Sequence, residues 1–259
     1  MLHYTQYNCH DKAPWVTLVH GAGGSSSIWY KQIKAFRAHF NILLVDLRGH
    51  GRSRLPMPGD LKRYTFDFIS REVMEVLDHL RIEKSHFVGI SLGTIIIRVL
   101  AEQYPERVTG LIMGGATLKM NTQSQVLMRF GVWFKSVIPY ILLYKFFAFN
   151  IMPRRKHRES RNLFIREARK LYQKEFIRWF KLAAELKPVL RLFRMKEADI
   201  PTLYVMGAED YMFLPTIRKI SASHASASLH VIEDCGHVVN VDKPLEFNRA
   251  VITFLRQIA

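Results

Sequence analysis

The chain has 259 residues, of which 49% are hydrophobic and 12% aromatic, and this composition is typical of a globular protein with a sizeable core in one or two domains. Two cysteines, Cys9 and Cys235, exclude a disulfide framework and a cysteine-rich zinc cluster. Basic residues outnumber acidic ones by 38 to 22, and the net charge of +16 favours acidic partners. The N-terminal sequence has no basic start followed by an apolar run, so no signal peptide is predicted and a cytoplasmic location is expected.

Short apolar runs recur along the chain and predict the strands of one sheet. In order they are WVTLVHG (15–21), NILLVDLRG (41–49), HFVGIS (86–91), VTGLIMGG (108–115), PTLYVMG (201–207) and LHVIED (229–234). Near-continuous apolar runs are expected for parallel strands that are buried on both faces. Amphipathic stretches at 67–82, 95–104 and 244–258 predict helices between and after them. The alternation indicates an α/β fold.

Residues 118–196 interrupt this alternation. The segment contains nineteen Lys or Arg but only four Glu, so it carries almost all of the net charge. Apolar residues from 158 to 186 follow helical spacing. We therefore predict a strongly basic helical cap, or lid, inserted into an α/β core formed by residues 1–117 and 197–259.

The sequence GISLG (89–93) places a serine between two glycines where a predicted strand meets a predicted helix. This pattern is typical of a nucleophile elbow, a strained turn that exposes the hydroxyl of its central residue, here Ser91. The helix N-terminus that follows would favour developing negative charge. The alternative is a serine in an ordinary glycine-containing turn.

A serine hydroxyl needs a base, and the base needs an acceptor that orients it. Among eleven histidines, His237 follows the last predicted strand, and Asp210 follows the strand before it. Sites on open α/β sheets form in loops beyond the carboxyl ends of strands. The chain order Ser91, Asp210, His237 is the order found in one class of serine hydrolases. The alternative is that Asp210 and His237 are ordinary surface residues.

An acyl-transfer intermediate also needs hydrogen-bond donors for its oxyanion. The backbone N–H of Leu92, directly after the serine, is one candidate. The backbone N–H of Ala22, in the glycine-rich HGAGG (20–24) after the first strong strand run, is the other. A phosphate-binding loop is the rival interpretation, but this stretch lacks the third glycine of G-x-G-x-x-G and any Gly-Lys-Ser/Thr.

Together with DLRGHGRS (46–53), these motifs make the chain resemble the α/β-hydrolase fold superfamily over 1–117 and 197–259. The resemblance implies an eight-stranded, mostly parallel sheet flanked by helices, with a helical cap inserted after the sixth strand. It implies Ser91 as nucleophile, His237 as base and Asp210 as its orienting partner. It also implies that His50 and Arg52 are structural. A serine at position 91 argues against dehalogenases and epoxide hydrolases.

These residues predict a carboxylesterase-type serine hydrolase that acts on small to medium apolar acyl esters. Thioesterase, carrier-protein methyl esterase, lactonase, perhydrolase and acyltransferase activities would use the same three side chains and stay open. A hydrolase-like binding or membrane-associated module is the non-enzymatic alternative. No cofactor and no metal are expected, since the sequence has no HExxH motif and no zinc-like Cys/His cluster.

The cap is rich in methionine and aromatic residues, which either pack its interior or line an apolar substrate pocket. We predict Trp133, Phe134 and Phe146 as substrate-binding residues. The apolar run 137–152 is too short to span a bilayer, which needs about 20 residues. We expect this run to pack on the core and the basic run 153–158 to form a solvated face. Contact with an anionic membrane surface and docking of an acidic acyl carrier protein are the alternatives, and nucleic-acid binding is not expected.

Overall fold

A seven-stranded sheet forms the centre of the part of the chain that the structure describes. The computed structural model describes residues 1–53, 63–119, 122–134, 137–184 and 186–258. The strands are β1 (Tyr4–Tyr7), β2 (Trp15–Val19), β3 (Asn41–Val45), β4 (Ser85–Ile90), β5 (Val108–Gly114), β6 (Thr202–Gly207) and β7 (Ala227–Ile232), in the order β1-β3-β2-β4-β5-β6-β7. Edge strand β1 is antiparallel to β3, and all the other pairs are parallel. The predicted α/β class is thereby confirmed.

The six apolar runs correspond to β2 to β7, and the sequence patterns missed β1. The predicted count of eight strands is wrong for the described residues, which contain seven. The eighth strand came from the family resemblance and had no apolar run of its own. As a result, the inserted helices follow the fifth strand rather than the sixth.

Helices cover both faces of the sheet. They are α1 (Tyr30–Arg37), α2 (Phe66–His79), α3 (Leu92–Gln103), α4 (Thr122–Phe134), α5 (Tyr140–Ile151), α6 (Arg158–Ala168), α7 (Gln173–Ala184), α8 (Leu186–Met195), α9 (Leu214–Ser223), α10 (Val239–Asp242) and α11 (Pro244–Gln257). The apolar sides of α2, α3 and α9 pack on one face of the sheet. Those of α1, α10 and α11 pack on the other. The carboxyl ends of the parallel strands are left to carry the loops.

Helices α4 to α8 lie between β5 and β6. A small apolar cluster of their own joins α5, α6 and α7, with Leu143, Tyr144, Ala168, Phe176 and Phe180 at its centre. The continuous helical spacing from 158 to 186 is divided among α6, α7 and the start of α8, because apolar periodicity does not show where a helix breaks. We call residues 118–196 the cap. No helix among the described residues is both long and apolar enough to cross a membrane.

One carboxylate, Glu209, ties the cap to the loop after β6. His157 Nε2 lies 2.9 Å from Glu209 Oε2, and both side chains are buried or nearly so. Arg154 and Lys156 also form ion pairs with Glu209, and Lys156 reaches Asp234 Oδ1 at 2.7 Å. The cationic neighbours hold the pKa of Glu209 below its ordinary value against the opposing effect of burial. Part of the cap's positive charge is therefore neutralised by ion pairs within the molecule.

Candidate active site

Ser91 stands at a sharp turn between β4 and α3. Its φ of 54° and ψ of −120° lie in a strained region for a residue with a side chain. A Cβ at Gly89 would approach the Gly93 carbonyl carbon to 2.7 Å, and one at Gly93 would collide with the Val19 carbonyl oxygen. The glycines of GISLG are needed because neighbouring backbone leaves no room for side chains at these positions. The turn leaves Ser91 only partly buried.

The structure brings the predicted base and its acceptor to this serine. His237 Nε2 lies 2.9 Å from Ser91 Oγ, and His237 Nδ1 lies 2.7 Å from Asp210 Oδ2. A carboxylate only accepts, so Nδ1 carries a proton that it donates to Asp210, and Nε2 of the neutral ring accepts from Ser91. His237 and Asp210 are both nearly inaccessible to solvent. The hydrogen-bonded side chains of Asp210, His237 and Ser91, which we call the relay, are therefore shielded from water except at the partly exposed Ser91.

Adjacent strands bring these two loops together. Asp210 follows β6, His237 follows β7, and β6 pairs with β7. The backbone N–H of Glu209 donates to the Cys235 carbonyl at 2.9 Å. A side chain at Gly207 would collide with the carbonyl oxygens of the second loop, so this close approach requires glycine. The relay geometry is thus fixed by backbone contacts.

The HGAGG loop packs directly against the elbow. A Cβ at Gly21 would lie 2.9 Å from the Ile90 carbonyl oxygen and 3.2 Å from the Ser91 Cβ. The predicted oxyanion donors, the N–H groups of Ala22 and Leu92, therefore belong to two neighbouring segments. Within the described residues, neither N–H has a hydrogen-bond partner. Both groups remain available to a substrate oxygen.

The peptide group that joins Ala22 to Gly23 is clamped from two sides. His50 Nε2 accepts from the Gly23 N–H at 2.9 Å, and the Tyr144 hydroxyl of the cap donates to the Ala22 carbonyl at 2.6 Å. Burial, with a contribution from His20, lowers the pKa of His50 to about 3, so its ring is neutral and can accept. The sequence predicts a structural role for His50 but does not indicate the clamp, because nothing local to Tyr144 marks it.

Arg52, the other residue expected to be structural, is exposed and does not line the site. Its backbone N–H donates to Asp46 Oδ2 at 2.9 Å, which helps to hold the turn that carries His50. The DLRGHGRS motif therefore shapes the loop behind HGAGG (20–24), which we call the oxyanion segment after its predicted role.

An apolar cavity of about 190 Å³ opens over Ser91, between the core and the cap. Its described lining comprises Ala22, Gly23, His50, Ser91, Thr117, Leu127, Tyr144, Phe147, Ile151, Phe164, Leu171, Phe176, Trp179, Phe180, Ala183, Leu186, Met212 and Phe213. A second space of about 20 Å³ shares only Ser91 and Phe164 with it. No described lining residue of either space is a Lys, Arg, Asp or Glu. Two unequal, apolar spaces thus meet at the serine.

The prediction of Trp133, Phe134 and Phe146 as substrate-binding residues needs correction. None of them is among the described residues that line the cavity, and Trp133 is 74% exposed. Phe147 and Tyr144 line it instead. Successive residues of a helix point about 100° apart, so the composition of an apolar helix such as α5 cannot identify its inner side.

The described residues contain no group of three or more His, Cys, Asp or Glu side chains placed to hold a metal ion. The chemistry that the arrangement itself can perform is transfer of a proton from Ser91 to His237, with stabilisation of the resulting imidazolium by Asp210. The backbone N–H groups of Ala22 and Leu92 belong to the two chain segments that meet at this serine. This combination is suited to nucleophilic attack on a carbonyl group.

Comparisons with known proteins agree with this architecture. Residues 14–136 match the family model described as alpha/beta hydrolase fold. The chain is 30% identical to a putative carbamate hydrolase, RutD, of Rhizobium rhizogenes, with 94% of this chain and 93% of the relative covered. It is 23% identical to 3-oxoadipate enol-lactonase 2 of Acinetobacter baylyi, with 99% and 93% covered.

Among solved structures, a hydrolase from Pseudomonas aeruginosa PA01 superimposes with a TM-score of 0.81 at 25% identity. The match covers 98% of this chain and 94% of that one. The similarity thus extends over the cap as well as the sheet. The chain belongs to the α/β-hydrolase superfamily.

Proposed function

We propose that the protein is a carboxylesterase-type serine hydrolase that cleaves esters of small to medium apolar acyl groups. The proposal rests on the unbroken relay of hydrogen bonds from Asp210 through His237 to Ser91, which lines an apolar cavity. We assign residues 118–196 as the cap domain that roofs this cavity.

In the proposed mechanism, Ser91 Oγ attacks the ester carbonyl carbon while His237 Nε2 takes its proton. The carbonyl oxygen becomes an oxyanion that accepts from the backbone N–H groups of Ala22 and Leu92. Collapse of this intermediate expels the alcohol, which receives the proton from His237, and leaves an acyl group on Ser91. His237 then takes a proton from water as the water oxygen attacks the acyl carbon. The Ser91 Oγ–acyl bond breaks, Ser91 Oγ takes this proton back from His237, and the acid is released. Asp210 keeps the imidazole oriented and stabilises its charged form throughout.

The lining of the cavity favours uncharged acyl chains. A carboxylate-bearing acyl group would lose its hydration there and meet no described cationic side chain in exchange. The only histidine in the described lining is His50, and its lowered pKa keeps it neutral. An apolar acyl chain fits the larger space, whereas the smaller one holds little more than a water molecule.

A lactonase is the second candidate, favoured by full-length similarity to 3-oxoadipate enol-lactonase 2. A lactone is a cyclic ester, so the same steps would open it. The neutral cavity supports an apolar lactone more readily than a carboxylate-bearing one. Thioesters and carrier-protein methyl esters would react through the same acyl-enzyme mechanism. Carbamates would too, and they are suggested by the similarity to a putative carbamate hydrolase.

The test is hydrolysis of p-nitrophenyl esters from acetate to palmitate, with apolar γ-lactones assayed in parallel. We expect turnover to peak at short to medium chains. Ser91→Ala and His237→Ala should each lower it by roughly four to six orders of magnitude without loss of folding. Ser160→Ala is a matched control, because Ser160 lines the small space but lies outside the relay.

Labelling of Ser91 by a fluorophosphonate separates an enzyme from a binding module. The wild type should react covalently at Ser91, and Ser91→Ala should not. Lactone opening without ester turnover would favour the second candidate. Comparable ester turnover in the wild type and Ser91→Ala would refute the proposed mechanism.

A further inference from the structure

Helices α4 and α5, with Val137 between them, expose an unusual number of large apolar side chains. We call them the α4–α5 face; they are Val126, Trp133, Phe134, Val137, Leu142, Phe146 and Phe149. Trp133 and Val137 are 74% and 79% exposed. Single exposed apolar residues are normal on a protein surface, but a contiguous group indicates an interaction site.

The members of this face are continuous across the two helices. The Phe130 ring lies 4.5 Å from the Phe134 ring and 5.2 Å from the Phe146 ring, so it bridges α4 to α5. Val126 and Trp133 lie on one stripe of α4, and Leu142, Phe146 and Phe149 lie on one stripe of α5. The two stripes therefore form one surface.

Free positive charge surrounds this surface. Arg129 lies on the Trp133 stripe of α4, and Lys145 lies between Leu142 and Phe149 on α5. Exposed Arg158 is one helical turn from Arg161, whose guanidinium covers the Phe149 ring at 4.3 Å. Within the described parts of the chain, Arg129, Lys145 and Arg158 form no ion pair, in contrast to Arg154 and Lys156, which are held by Glu209 and Asp234.

The same two helices also line the catalytic cavity, α5 with the side opposite to its exposed apolar stripe. Leu127 of α4 and Tyr144, Phe147 and Ile151 of α5 face the cavity. One layer of helices thus separates the cavity from the exposed apolar face.

We propose that the α4–α5 face docks onto an anionic lipid bilayer, with its apolar side chains at the acyl boundary and its arginines among the headgroups. An isologous contact with a second copy would place the basic residues Arg129, Lys145 and Arg158 of both chains in one interface, where like charges repel. An acidic protein would satisfy the charges but would leave a broad apolar surface to cover. A bilayer with anionic headgroups satisfies both requirements.

The test is flotation with vesicles of phosphatidylcholine containing about one quarter phosphatidylglycerol, against pure phosphatidylcholine vesicles. The wild type and Ser91→Ala should bind the anionic vesicles equally, because docking does not need the proposed hydrolysis. Binding should weaken strongly in about 0.5 M salt. Arg129→Gln with Arg158→Gln should weaken it about 25-fold, at about fivefold for each charge.

Trp133→Ser with Phe149→Ser should weaken binding at least about tenfold, because two buried apolar side chains are lost. Leu245→Ser and Arg249→Gln on α11 are the matched controls, since Leu245 is 82% exposed and Arg249 is also exposed, and neither should change binding. Unchanged melting temperatures would establish that the variants fold. Absence of vesicle binding, equal loss in the controls, or a stable dimer that buries Trp133 would overturn the proposal.

Discussion

Replacement of Tyr144 by Phe tests whether the cap helps to position the oxyanion segment. Tyr144 donates 2.6 Å to the Ala22 carbonyl, and its ring stacks on Phe164 with centroids 4.6 Å apart. Burial raises the pKa of Tyr144 well above its ordinary value, so the hydroxyl keeps its proton and remains a donor. The substitution removes one hydrogen bond while the ring and its packing stay.

The expected magnitudes follow from this one lost contact. A buried carbonyl left without its donor costs about 1–3 kcal/mol, and the partial exposure of Ala22 favours the lower end. About 1 kcal/mol corresponds to a drop in melting temperature of about 2–4 °C for a chain of this size. Removal of an entire oxyanion donor costs about 100- to 1000-fold in kcat. Since His50 still holds the other side of the peptide, we expect a smaller loss of about tenfold.

The assay is the kcat and KM of the best p-nitrophenyl ester, with Tyr140→Phe as the control. Tyr140 lies on the same helix and donates 2.7 Å to the Leu171 carbonyl inside the cap. Both variants should lose similar stability, but only Tyr144→Phe should lose kcat, and its KM should change little. Equal kcat in the two variants, or an effect of Tyr144→Phe confined to KM, would refute the positioning argument.

Three further predictions concern the loops around the site. The pKa of His50 is about 3 in the folded protein and 6.5 as its ordinary value, so between these two pH values unfolding takes up a proton. The free energy of unfolding should therefore fall as pH falls, by up to about 1.4 kcal/mol per pH unit. Equal urea midpoints at pH 7 and pH 5 would contradict this. Glu209→Gln should lower stability by about 1–3 kcal/mol and speed proteolysis within the cap, whereas Asp234→Asn, at an exposed ion pair, should leave the urea midpoint almost unchanged. Similar effects of the two variants in urea unfolding would argue against Glu209 as the main tie. Gly21→Ala should push the oxyanion segment away from Ser91, and a displacement of about 1 Å should cost about 100-fold in ester turnover; wild-type kinetics would show that the neighbouring backbone yields at no cost.

The sheet could be predicted because its parallel strands are buried on both faces, which leaves continuous apolar runs such as NILLV. Strand β1, with the sequence YTQY, lies at an edge and is only partly buried, so it has no such run. Helix α3 begins at Leu92 rather than at residue 95, because the elbow turn leads into the helix immediately after Ser91. Boundaries of this kind depend on tertiary contacts that local patterns do not contain.

The relay residues could be chosen from sequence because each stands just after a strand, and neighbouring parallel strands end at one edge. The cavity lining could not, because it depends on the rotation of the cap helices. Phe146 and Phe147 are adjacent and chemically identical, yet the first is exposed and the second lines the cavity. Tyr144 acts on a loop more than a hundred residues away, a pairing that spacing alone does not indicate.

Two sides of helix α5 can be engineered separately. Substitutions at Phe146 and Phe149 would alter the proposed membrane contact. Substitutions at Phe147 would alter which acyl chains the cavity accepts. Tyr144 lines the same cavity but also holds the Ala22 carbonyl, and a side chain at Gly23 would collide with its hydroxyl. A chimaera that exchanges caps between related hydrolases should therefore transfer Tyr144 and Gly23 as a matched pair, or it will join two halves whose hydrogen-bonding surfaces were never fitted to each other.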